Sequence, residues 1–97
     1  IAFQEFVTYT NLCKDGDICS ATKLMYKLFD KGYSVMDILD NFFLFVKTTT
    51  LLTEVEKYKI IPSICKYITI FHDVHEDEIE LALFTNNLIS IFSLSTI

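Results

Sequence analysis

Only three residues interrupt regular backbone outright in this chain of 97: Gly16, Gly32 and Pro62. A sheet domain of this size needs a turn about every ten residues, usually built on glycine, proline or asparagine. Two glycines and one proline cannot supply them. The chain is therefore expected to fold as a few helices with short joints. Its length suits one domain and is too short for two. It begins at Ile1, within residues that already repeat like a helix, so it is expected to be a piece of a longer protein.

The breakers and caps divide the chain into five helices. The first runs from Ile1 to Lys14, with Phe3, Phe6, Val7 and Cys13 on one face, and Gly16 closes it. The second runs from Ile18 to Lys31 behind an Asp17 cap. It carries Ile18, Ala21, Met25, Leu28 and Phe29 as a stripe, with Lys23, Lys27 and Lys31 turned away, and it ends at Gly32. The third starts at Ser34, three residues before Asp37. Its Val35, Ile38, Leu39, Phe42, Phe45 and Val46 stripe is widened by Phe43 and Leu44, which predicts burial on several sides at the centre of the domain.

Thr48–Thr50 break the pattern, and Thr53 with Glu56 has the spacing of a full capping box. The fourth helix then carries two stripes: Val55, Tyr58, Ile61, Cys65 and Ile68, and beside it Ile60, Ile64, Tyr67 and Phe71. Pro62 is expected to kink or restart it. Acids at Glu76, Asp77, Glu78 and Glu80 suit the first turn of a fifth helix, which reaches about Ser93. It again has two stripes, Ile79, Ala82, Leu83 and Ile89 against Leu81, Phe84, Leu88 and Phe92. Two apolar stripes on one helix predict two neighbours, the domain's own core and another chain. Ile60, Ile64, Tyr67, Phe71, Leu81, Phe84, Leu88 and Phe92 are the expected subunit interface. The fold class is all-α, a five-helix orthogonal bundle, because no heptad persists for three repeats.

Hydrophobic residues make up 52% of the chain, which excludes disorder. Mean hydropathy is +0.39, high for so small a domain, which fits either a well-packed core with scattered exposed apolar groups or, the reading preferred, an apolar face covered by something else. Net charge is −5, and every basic residue is a lysine. An acidic chain without arginine is a poor binder of phosphate backbones, so no direct nucleic-acid contact is expected. No apolar run reaches membrane-spanning length, and no basic amphipathic helix marks a membrane surface.

Chemistry has little to stand on. No phosphate-cradling glycine loop occurs, and an arginine finger is impossible. Cys13, Cys19 and Cys65 are read as small hydrophobes, with Cys65 buried and inert in its stripe. His72 and His75 stand among acids better explained by helix capping, so no metal site is expected. Tyr9, Tyr26, Tyr33, Tyr58 and Tyr67 lack interleaved basic residues and are read as core rims and protein contacts. No catalytic, cofactor-binding or metal residues are assigned.

The stretch Leu24–Phe45, LMYKLFDKGYSVMDILDNFFLF, resembles replication factor C small subunits in the segment that follows their ATPase module. Lys14–Asp17 is similar to the family's turn before that helix. Asn41–Thr48 is similar to the family's helix end, and His75–Leu83 to its last helix start. The likeness covers residues 14–92. Asp73 and Val74 stand where the family usually has glycine, and Pro62 inside the fourth helix is unusual for it. The resemblance implies the collar domain at the C-terminal end of an AAA+ clamp-loader subunit. Related subunits would form a heteropentamer in the nucleus, and the whole complex would place the sliding clamp on primer-template DNA. ATP and Mg would belong to the absent AAA+ module. A helical adaptor that binds a partner in an apolar groove is the alternative.

Overall fold

The helix boundaries follow from local chemistry at each joint. The computed structural model describes residues 3–73 and 79–95. It contains α1 (Phe3–Lys14), α2 (Ile18–Asp30), α3 (Val35–Thr48), α4 (Glu54–Asp73) and α5 (Ile79–Ser95), and no strand among the described residues. The expected all-α bundle of five helices is what forms.

Between α1 and α2, Gly16 adopts φ +77°. Its N–H donates to Cys13 O at 3.1 Å, and Asp17 N–H donates to Leu12 O at 3.0 Å. This pair of bonds is the Schellman arrangement, which satisfies carbonyls the helix leaves open. Asp17 then accepts from Ser20 N at 3.2 Å and caps α2. Gly32, at φ +106°, ends α2 in the same left-handed region. Ser34 Oγ accepts from Asp37 N at 3.0 Å to start α3. The box before α4 is reciprocal: Glu56 N donates to Thr53 Oγ1 at 3.1 Å, and Thr53 N donates to Glu56 Oε1 at 2.9 Å.

Helix α4 continues through Pro62 without splitting. Proline removes the bond to the carbonyl of Tyr58. Both Pro62 and Tyr58 are exposed, so water can take that bond.

The core is assembled from every helix. Helix α5 packs on α1, α2 and α4, while α3 packs on α4, α2 and α1. Phe42 of α3 sits at the junction. Its ring lies 5.4 Å from Phe6, 5.5 Å from Tyr9 and 5.8 Å from Phe84, centroid to centroid. Such tilted and edge-on pairs add to the stabilisation from burial alone. Helix α3 supplies six buried side chains but is not enclosed all round: Leu44 is 51% exposed. Asp37, Asp40 and Lys47 share that open side. Ile18 also lies outside its expected stripe, at the exposed start of α2.

Candidate functional site

Six of the eight residues expected to face another subunit are buried in the domain's own core. Ile60, Ile64, Leu81, Phe84 and Leu88 have no exposed area, and Phe92 has almost none. Tyr67 is half-buried, with its ring edge-on to Phe84 at 5.4 Å. The Phe71 side chain lies outside the described residues. The stripe expected to face another chain is the one that packs into the domain's own core. A small core needs the bulkiest, most regularly spaced side chains, and α4 and α5 spend them on each other and on α1 to α3. A side chain with no solvent-accessible area cannot meet a partner without opening the domain.

The other stripes lie partly outside, with Ile61, Ile68 and Ile89 packed against the core. Tyr58 is 78% exposed, Val55 61%, Ile79 54% and Leu83 50%. Near the first two, a shallow groove of about 310 Å³ is lined by Lys47, Glu54, Lys57, Tyr58 and Ile61. Lys57 Nζ donates to Lys47 O at the far limit of a hydrogen bond, 3.5 Å, joining the end of α3 to the start of α4.

The polar interior is small and structural. Tyr9 is fully buried, contrary to its reading as a rim residue, and its hydroxyl lies 2.8 Å from Thr85 Oγ1. Thr85 Oγ1 in turn donates to Leu81 O at 2.7 Å. A hydroxyl has one hydrogen, so Tyr9 is the donor of the pair. The bond fixes the register of α1 against α5. Burial holds the Tyr9 hydroxyl well above its ordinary pKa, with Cys13 adding to the rise. Burial pushes the Cys13 thiol up to about 12. Tyr67 is raised mainly by burial and then by Glu80, against a hydrogen bond with Asn87. Thr10 Oγ1 is buried without a hydrogen-bond partner among the described residues.

These groups cannot do covalent chemistry in their resting state. A thiol that burial pushes up to about 12 is not a nucleophile at neutral pH. Cys19 and Cys65 are exposed, not buried as expected of small hydrophobes. In α4 the inward arc is taken by Ile60, Ser63 and Ile64, which leaves Cys65 outside. Among the described residues, no three His, Cys, Asp or Glu side chains group as metal ligands. The side chains of His72 and His75 lie outside those residues. No helix among the described residues is long and apolar enough to cross a membrane.

What remains is a helical domain with a closed core and apolar side chains left over on α4 and α5. A family model for the replication factor C C-terminal domain matches residues 4–82. The chain belongs to that family. It therefore carries a clamp-loader C-terminal domain, a helical unit that is not itself catalytic. Comparison with the curated proteins finds no match. The replication factor C match ends at residue 82, inside the first turns of α5, so the exposed α4 stripe lies wholly within it.

Proposed function

We propose that this domain holds a clamp-loader subunit against its sister subunits in a heteropentameric collar. The reading rests on the family membership together with one observation: large apolar side chains stay exposed after the core is complete. Val55, Tyr58, Ile79 and Leu83 are each at least half exposed. Apolar surface in an acidic, arginine-free domain suits protein contact better than phosphate contact. In this reading ATP and Mg bind an AAA+ module outside the chain. The assembled complex places the sliding clamp on primer-template DNA in the nucleus.

The test is co-expression of the complete subunit with its sister subunits, with and without residues 1–97. Loss of the pentamer on size-exclusion chromatography is the expected result of the deletion. A truncated subunit that still elutes in a stoichiometric complex refutes the collar role.

A further inference from the structure

Helix α4 has a face whose composition differs from the rest of the surface. At 3.6 residues per turn, Val55, Tyr58, Lys59, Pro62, Cys65 and Lys66 fall within an arc of about 120° and extend about 17 Å along the axis. All six are exposed. A helix face meant for water is normally polar at nearly every position. Here four of the six are uncharged, and Tyr58 is 78% exposed. Lys59 and Lys66 form one edge of this strip, two helical turns apart. On the opposite edge, half-buried Ile61 and Ile68 lead into the core.

The charge inverts here as well. From Val55 to Thr69 the helix holds three lysines and one acid, Glu56, with Glu54 just before it, against five lysines and twelve acids in the rest of the chain. An apolar strip with a cationic edge, set in an anionic domain, is complementary to an anionic surface that also has apolar area. Two lysines match carboxylates spaced two turns apart on a helix, about 10 Å. A phosphate backbone gains nothing from the apolar strip and is repelled by the net charge of −5.

We infer that this face of α4 docks an acidic helix of the adjoining sister subunit, burying Tyr58 and Pro62 and pairing Lys59 and Lys66 with its carboxylates. The inference rests on the collar reading and adds the face and the chemistry of its partner. Charge pairs at such an edge set association rate and specificity, and their effect falls with salt.

The experiment uses the complete subunit with its sister subunits and compares wild type, Lys59→Glu/Lys66→Glu and Tyr58→Ala. Circular dichroism and melting temperature of each variant are compared with wild type, so that a loss of fold is told apart from a loss of assembly. Charge reversal is expected to weaken assembly on the order of tenfold at low salt and to remove most of the salt dependence. Tyr58→Ala is expected to weaken assembly at every salt concentration. Assembly within twofold of wild type in both variants overturns the inference. So does a charge-reversal variant that loses duplex-DNA binding while assembling normally. Deletion of residues 1–97 separates the two ideas. If deletion abolishes assembly and the point variants do not, the collar reading stands and the α4 face is wrong.

Discussion

The Tyr9–Thr85 bond offers an asymmetric test of how this core is held. Tyr9 donates to Thr85 Oγ1, and both residues have no exposed area. Tyr9→Phe removes the donor and its desolvation cost together. Thr85 keeps its own bond to Leu81 O, so the loss should be about 1 kcal/mol. Thr85→Val is close to isosteric but leaves the Tyr9 O–H buried without its oxygen acceptor. The thiol of Cys13 is a weak substitute, so the loss should be about 2 kcal/mol. The double variant replaces both partners with apolar groups and should cost less than the sum by about 1 kcal/mol. Urea unfolding followed by circular dichroism reads these values. Thr85→Val should move the midpoint down by roughly 1 M with an unchanged slope. Equal losses in the two single variants, or additivity to within about 0.3 kcal/mol, would refute the assigned donor and the coupling.

Thr53→Ala should cost about 1 kcal/mol in the same assay by opening the reciprocal cap of α4, and Thr53→Ser should recover most of it. Gly16→Ala meets no neighbour within 4 Å but forces a Cβ into φ +77°, so a loss of about 1 kcal/mol from backbone strain alone is expected, with Asn less costly than Ala. Cys13 titrates near 12 when folded against an ordinary 9.0, so the folded state holds the proton longer and stability should fall as pH rises from about 9 to about 12. Cys13→Ala should remove the fall that begins near pH 9, read from urea midpoints, and leave the part above pH 10 that the raised Tyr9 contributes. Ile64→Asp should unfold the domain rather than release a partner, seen as loss of helical circular dichroism; a folded Ile64→Asp domain would show that this side chain does not belong to the core.

Capping and breaking were legible because they are local. The hydroxyl of Thr53 and the carboxylate of Glu56 meet within one turn, whatever the rest of the chain does. The same holds for Gly16, whose left-handed backbone ends α1 with bonds to residues just before it. The family likeness rested on such local signs, the Gly32–Tyr33–Ser34 turn among them, and the match over residues 4–82 agrees with it. Pro62 left two outcomes open in sequence, a kink or a restart, and α4 runs through it as one helix.

The site was less legible, for a reason in the helix itself. The spacing of Ile60, Ile64 and Tyr67 marks a face, and so does the spacing of Val55, Tyr58 and Cys65. Periodicity ranks neither above the other. Only the placement of α4 against α3 and α5 chose between them, turning Ile60 and Ile64 inward and leaving Tyr58 in water. The tyrosines make the same point: Tyr9 and Tyr58 look alike in sequence, yet one is sealed beside Thr85 and the other is 78% exposed.

The order and ends of the helices, the all-α class and the net charge are therefore properties of the sequence, since each depends on bonds within a turn or on composition. Which stripe of each helix is core, which cysteine is sealed, and which apolar side chains stay exposed were decided by the tertiary structure. Those outcomes depend on contacts between residues such as Phe42, Tyr9 and Phe84, far apart along the chain and joined only when the helices pack.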